Sequence, residues 1–243
     1  WMGTFHSVFS RILRAEATKI GFPSNFTIYD TDDSKTLIKQ IVKEKNLDDK
    51  LYKANVVYNR ISGAKNRLVS WQEYLNNPIY EEDDRANMRP EMGNIYKTYV
   101  NRCFAADAMD FDDLLYFTNV LFQEHPDTLN KYQHRFHYVL IDEFQDTNIS
   151  QYLIARKLAA VKQNIAVVGD DAQSIYGFRG ADIQNILNFE RDYPDLKVIK
   201  LEQNYRSSKN IVNAANSIIN KNTAQIKKNV WTDNEDGELI DLI

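Results

Sequence analysis

Two apolar runs in this chain end in carboxylates. Tyr138-Val139-Leu140-Ile141 stops at Asp142-Glu143, and Ile165-Ala166-Val167-Val168 stops at Gly169-Asp170-Asp171. A carboxylate at a strand end can hold Mg²⁺, directly or through water. A second carboxylate beside it can accept a proton from an attacking water. Gln145-Asp146 adds polar groups at the first edge, and Gln173 adds one at the second. Acidic residues also end strands simply for solubility, so the pattern alone carries little. The segment Ser174-Ile175-Tyr176-Gly177-Phe178-Arg179-Gly180 sets two aromatics and an arginine on a glycine-bracketed loop. Unpaired bases stack on exposed aromatics beside arginine, with ordinary core packing as the plain alternative for Tyr176 and Phe178. Asn204-Tyr205-Arg206-Ser207 places another aromatic beside an arginine, a pair able to grip a base and a phosphate.

These groups need elements to position them. The two apolar runs read as buried strands, and the segment between them has helical spacing, which makes a βαβ unit. In such sheets a ligand sits outside the carboxyl ends of the strands, where both acidic clusters fall. Upstream, Trp1 to Phe5 reads as the end of a strand. Phe5, Val8, Phe9, Ile12, Leu13, Ala17 and Ile20 then recur at helical spacing, with Gly21 and Pro23 as a stop. A chain that starts inside a packed element is expected to be truncated. Residues 24–104 show no strand alternation and read as a helical subdomain. Ser34 is the expected cap of its first helix, Gly63 the end of its second and Pro78 the stop of its third; 81–89 reads as an exposed acidic loop. Asp110-Phe111-Asp112-Asp113 opens the next helix, with Asp110 as its cap and Leu114, Leu115, Thr118, Leu121 and Phe122 as its buried face. Beyond the βαβ unit, Asp182 caps a helix that stops before Pro194, and 198–201 reads as a strand. Ser207 or Ser208 caps a last long helix, and 239–243 is strand-like. The expected architecture is an α/β parallel sheet with an all-helical insertion at roughly 24–104.

The whole chain sets bounds. Its 243 residues suffice for one large or two small domains, and 43% hydrophobic with 26% charged residues is an ordinary globular mix. No apolar run approaches the roughly 20 residues that span a bilayer, so no membrane partner is expected. The single Cys103 excludes an internal disulfide or a cysteine zinc site and fits a reducing cytoplasm. A net charge of -4 gives no global case for nucleic acid, which leaves any such contact to a local surface. Between Lys35 and Arg67, nine Lys/Arg stand against three Asp/Glu, either a solvated helix face or a phosphate-contacting one.

DEFQDTN at 142–148, VVGDDAQSIYGFRGA at 167–181 and LEQNYRS at 201–207, in this order and spacing, resemble the motifs of superfamily 1 DNA helicases of the UvrD/PcrA/Rep type. GTFHSVFSRILR at 3–14 and FDDLL at 111–115 resemble that family too, so the likeness covers nearly the whole chain. The resemblance implies a RecA-like parallel sheet of the P-loop NTPase type, with the first core domain at 1–23 and 105–197, the helical insertion at 24–104, and the start of a second core domain at 198–243. It implies ATP and Mg²⁺ as cofactors, and single-stranded DNA and single-strand/duplex junctions as partners. The implied activity is an ATP-dependent helicase or translocase, moving 3′ to 5′ in DNA repair or replication. Asp142 would coordinate Mg²⁺, and Glu143 would activate the water that attacks the γ-phosphate. Gln173 would sense the γ-phosphate and couple it to DNA, Tyr205 would stack on adenine, and Arg206 would contact the γ-phosphate. Thr4, Phe5, His6, Tyr176, Phe178 and Arg179 would contact DNA.

Two parts of the resembled pattern are missing. No GxxxxGK[ST] phosphate loop occurs, since none of the eight glycines is followed by lysine. The motif supplying a second arginine is absent as well. The chain is therefore expected to be an internal piece, inactive alone. Ala172 stands where the family often has an acid, and Phe178 where some members have Trp; both keep the expected loop chemistry. Two other readings remain open: a non-hydrolysing DNA-binding or scaffold protein, and the motor part of a helicase–nuclease.

Overall fold

The structure, a computed structural model, describes residues 1–177, 180–223 and 225–241. They form two compact units, one of residues 1–140 and 148–166, the other of 141–147 and 167–243.

In the first unit, Thr4 is extended, and its hydroxyl accepts the Ser7 amide at 3.3 Å, which caps α1 (Phe5–Glu16). A short 3₁₀ turn, Ala17–Ile20, ends at Gly21 with φ +81°. A Cβ there would also come within 3.2 Å of the Phe104 ring, so glycine serves both backbone and packing. Strand β1 (Thr27–Tyr29) pairs in parallel with β2 (Ala108–Asp110), Thr27 opposite Ala108. Between them run α2 (Thr31–Glu44), α3 (Ala54–Asn66), α4 (Trp71–Asn76), α5 (Pro78–Ala86) and α6 (Met92–Ala105). These helices bury their own core, with Ile38, Ile41, Val57, Ile61, Tyr96 and Tyr99 at its centre. Then come α7 (Phe111–Glu124), α8 (Pro126–Arg135), β3 (Val139–Ile141), α9 (Ile149–Ala159) and β4 (Ile165–Val167). A second core joins Phe9, Ile12 and Leu13 of α1 to Leu115 and Phe122 of α7, Tyr132 of α8 and Ile154 of α9.

An ionic cluster links the two cores. Lys65 of α3, 1% exposed, reaches Asp110 at 2.7 Å and Asp113 at 2.8 Å, and the Tyr99 hydroxyl donates to Asp110 at 2.8 Å. Burial opposes the lysine's charge, yet the two carboxylates outweigh it and hold its pKa well above the ordinary value. Burial likewise opposes charge on Asp110, but Lys65 holds that carboxyl low. Burial first, and the charge of Asp110 second, push Asp113 up to about 7. Asp110 and Asp113 are also the reciprocal capping box of α7.

Strands β3 and β4 form the second two-stranded sheet. Val139 N–H donates to Asn164 O at 2.9 Å and Val168 N–H to Ile141 O at 2.8 Å, a parallel register. The expected βαβ unit is therefore present, with both acidic clusters just past its strands. In the second unit, α10 (Gln184–Leu187), α11 (Phe189–Asp192) and α12 (Lys209–Ile219) follow.

Several expectations are corrected. Trp1 to Phe5 is no strand; its extended backbone is a helix cap, and Trp1 packs edge-on against Phe136 at 5.4 Å. Residues 24–104 are not all-helical, because β1 lies among them; three residues are too short to show alternation. The cap of α2 is Asp30, with Asp33 in a capping box, and Ser34 is buried inside the helix. Gly63 lies within α3. Pro78 does follow the end of α4, as expected, but it also opens α5, at the first turn where the missing N–H costs nothing. The expected 81–89 loop is thus largely α5. The helix after Asp182 is broken in two; Asp182 accepts the Gln184 amide at 2.9 Å from one residue before the N-cap position, Ile183. Ser208 occupies the N-cap position of α12, although its side chain makes no cap bond. Residues 198–201 form no strand, since their neighbourhood offers only the isolated bridge Gln203–Trp231. Residues 239–241 form none either, and 242–243 lie outside the described residues. No described helix is long and apolar enough to cross a membrane.

Candidate functional site

The site is built where β3 ends. Asp142 and Glu143 are both exposed, and Asp142 Oδ1 accepts the Glu143 amide at 2.9 Å. Glu143 takes the left-handed conformation, φ 50° and ψ 43°, and turns the chain into the 3₁₀ segment Phe144–Asp146. Phe144 anchors that turn. It is fully buried, its ring meets Phe189 edge-on at 5.3 Å, and its amide donates to Val168 O at 2.9 Å. Thr147 closes it, with its hydroxyl on Phe144 O at 2.7 Å and its carbonyl accepting Asn185 Nδ2 at 2.9 Å.

Gln145 is 1% exposed, and its amide is used at both ends. Nε2 donates to Glu143 Oε2 at 2.8 Å, and Oε1 accepts the Asp170 amide at 3.1 Å. Its carbonyl accepts the Ser174 hydroxyl at 3.2 Å. Asp170 Oδ2 in turn accepts Gln173 Nε2 at 2.8 Å, while Oδ1 accepts the Ala172 amide at 3.0 Å and pairs with Lys228 Nζ. Burial pushes the Asp170 carboxyl up, but the bonds from Lys228 and Gln173 outweigh it and hold it below its ordinary value. Asp171 is buried and accepts the Ile226 amide at 3.0 Å. Glu143, Gln145, Asp170 and Gln173 thus form one hydrogen-bonded series joining the two strand ends.

The donor set fits Mg²⁺. Such an ion keeps most of its waters and needs only one or two carboxylates beside substrate phosphates. Asp142 offers an exposed carboxylate. Asp146 Oδ1 is buried with no hydrogen-bond partner among the described residues. Burial, and then the charge of Glu143, raise the Asp146 pKa. Among the described residues no cluster of three or more metal-ligating side chains occurs.

The Asn204 side chain accepts the amides of Arg206 at 2.9 Å and Ser207 at 2.7 Å, a tight turn that leaves Tyr205 and Arg206 exposed. The Tyr205 hydroxyl donates to Gln203 Oε1 at 2.7 Å. Tyr176 is exposed on its loop, whereas Phe178 and Arg179 lie outside the described residues. In the first unit, the Thr4 hydroxyl is engaged as a helix cap, and the half-buried Phe5 ring packs on Phe9 at 5.8 Å. His6 sits edge-on to Phe111 at 5.9 Å, and burial lowers its pKa. Of the basic stretch 35–67, Lys65 and Arg60 are spent on internal ion pairs; Arg60 binds Asp84 at 2.9 Å. Lys39, Lys43, Lys45, Lys50, Lys53 and Arg67 remain exposed. Lys228 and the bridging role of Gln145 escaped the sequence reading. Their partners lie 58 and 25 residues away in the chain, where no local pattern points.

Carboxylates and amides gather past the ends of the parallel strands β3 and β4, the place where α/β proteins bind ligands. The chain belongs to the UvrD/REP helicase family: residues 1–194 match the UvrD/REP helicase N-terminal domain, and residues 199–243 match the UvrD-like helicase C-terminal domain. It is similar to the ATP-dependent DNA helicase PcrA of Staphylococcus epidermidis, 46% identical over 241 residues, which is 99% of this chain and 32% of that protein. The PcrA of Staphylococcus aureus is 44% identical over the same shares. The chain therefore spans about a third of the length of these relatives.

Proposed function

We propose that the intact gene product is an ATP-dependent DNA helicase and translocase. It acts on single-stranded DNA and single-strand/duplex junctions and moves 3′ to 5′ in repair or replication. Membership of the family supports this, as does the likeness to the ATP-dependent DNA helicase PcrA. One observation carries it: Asp142 and Glu143 stand exposed together at the end of a parallel strand, with Glu143 held by an amide. Phosphoryl transfer to water needs charge neutralisation, an aligned water and a cation near the transition state. Glu143 accepts the proton of the attacking water. Asp142 would hold Mg²⁺, which when bound would supply neutralisation of phosphate charge. Arg206 contacts the γ-phosphate and Tyr205 stacks on the adenine. Gln173 senses the γ-phosphate and relays it to the Tyr176 loop, which together with Phe178 and Arg179 meets the bases. Thr4, Phe5 and His6 add contacts to DNA.

In this reading, residues 198–243 begin a second core domain and 24–104 are an insertion into the first. The boundary between the two family matches and the separate core of α2 to α6 support it. These 243 residues alone turn over no ATP, because their sequence has no phosphate-cradling loop. The lone cysteine favours the cytoplasm.

The test is phosphate release from ATP by the intact gene product, with and without single-stranded DNA, beside Glu143→Gln. DNA-stimulated hydrolysis in the wild type, lost by about a hundredfold or more in the variant, is expected. DNA binding without hydrolysis in the wild type would replace this reading with a scaffold that binds but does not move.

A further inference from the structure

We propose that Gln145 is a positioning residue: a strut that aims the Glu143 carboxylate and ties it to the loop carrying Gln173 and Tyr176. The proposal rests on the reading of Glu143 as proton acceptor. Three observations carry it.

Gln145 is fully buried, yet neither end of its amide is idle. A buried amide left unpaired loses its water without replacement, so both bonds are held firmly. The bonds also have direction. Nε2 is the donor, and the Glu143 carboxylate can only accept. Oε1 is the acceptor, and the Asp170 amide can only donate. The amide therefore fits one way round and fixes the Glu143 side chain relative to the second strand end. The third observation is Gly169. A Cβ there would lie 2.7 Å from Gln145 Oε1 and 3.0 Å from Ile186 Cδ1. The backbone of the second loop comes this close to the strut because residue 169 has no side chain. Ile186 Cδ1 is the end of a flexible chain and can yield; an oxygen already bonded to Asp170 cannot without breaking that bond.

The mechanical consequence follows from the series Glu143–Gln145–Asp170–Gln173. A displacement of the loop at 170–176 pulls on Gln145 Oε1 and so reorients the carboxylate at the other end of the same rigid amide. Proton acceptance then depends on where that loop stands.

The test uses the intact gene product, comparing wild type, Glu143→Gln, Gln145→Met, Gly169→Ala and the double variant Gln145→Met/Gly169→Ala. Steady-state ATP hydrolysis is measured with and without single-stranded DNA, and nucleotide affinity with a fluorescent ATP analogue. Gln145→Met keeps the length of the side chain and removes both bonds. It is expected to lower kcat about 10–100-fold, the usual cost of losing an orienting partner, with KM for ATP and analogue affinity unchanged. Stimulation by DNA falls with it. Gly169→Ala gives the same signature without touching Gln145, and the double variant is no worse than Gln145→Met, because both break one bridge. Should Gln145→Met fail to fold, Gly169→Ala carries the test. Loss of activity in Glu143→Gln beside wild-type kcat in Gln145→Met and Gly169→Ala would overturn the strut and leave the reading of Glu143 standing. A raised KM at constant kcat, or additive losses in the double variant, would also overturn it. Full hydrolysis by Glu143→Gln would remove both.

Discussion

Glu143 occupies a backbone conformation that costs a non-glycine residue about 1–3 kcal/mol, and it does so at the residue proposed to meet the attacking water. The cost falls hardest on β-branched side chains and least on asparagine. Glu143→Val is therefore expected to be less stable than Glu143→Asn by about 1–2 kcal/mol, read as the difference between their urea midpoints. Coincident midpoints would mean that the turn relaxes freely. Both should lack hydrolysis, so stability and activity part company at one position. The sequence made Asp142 and Glu143 visible because an apolar run stops abruptly there. It made Gln145 visible only as one more polar residue. What gives Gln145 its meaning is the Asp170 amide, 25 positions on, which is placed by a sheet register and not by any local spacing.

At the scale of elements, helix starts with short-range caps were legible. Asp110 reads as a cap from the acids around it, and the structure has it bonded to the Asp113 amide at 2.8 Å. Pro78 was legible as the stop of α4 but not as the start of α5, because proline suits both places. The three-residue strands β1 and β2 offered no alternation to find. The capping box of α7 has a further consequence in pH. Asp113 carries a folded pKa of about 7, well above the roughly 3.9 of an unfolded aspartate. Between those values the folded chain holds a proton that the unfolded chain has released. This group's contribution is thus full below about pH 4 and is lost as pH rises through about 7. Asp113→Asn mimics the protonated form at every pH. The stability difference between wild type and variant should shift in favour of the variant from pH 5 to pH 8, as urea unfolding at four pH values would register. A difference that stays flat would place the proton elsewhere.

At the scale of the molecule, the motifs pointed to the family, and the two family matches together span the stretches that carried them. The partition into two units was not legible, since it passes through the motif at 142–148 and follows contacts, not sequence texture. Among the described residues the expected parallel sheet is present only as two short ladders, and Leu140 of β3 is 77% exposed, unusual for a parallel strand. Within the first unit, two hydrophobic cores meet across Lys65, Asp110 and Asp113. Removing the cation strands the Asp110 carboxylate in the interior, beside Asp113. Lys65→Met is therefore expected to cost about 3–5 kcal/mol in urea unfolding of the chain, and wild-type stability would show the cluster to be dispensable. This same cluster decides what can be exchanged between relatives. The helical layer has its own core and looks like a cassette, yet its lysine neutralises acids that belong to the layer beneath. A chimaera that swaps the cassette inherits a debt at positions 110 and 113 unless the incoming helix brings its own cation to the place of Lys65. The seam, not either core, is where such hybrids succeed or fail.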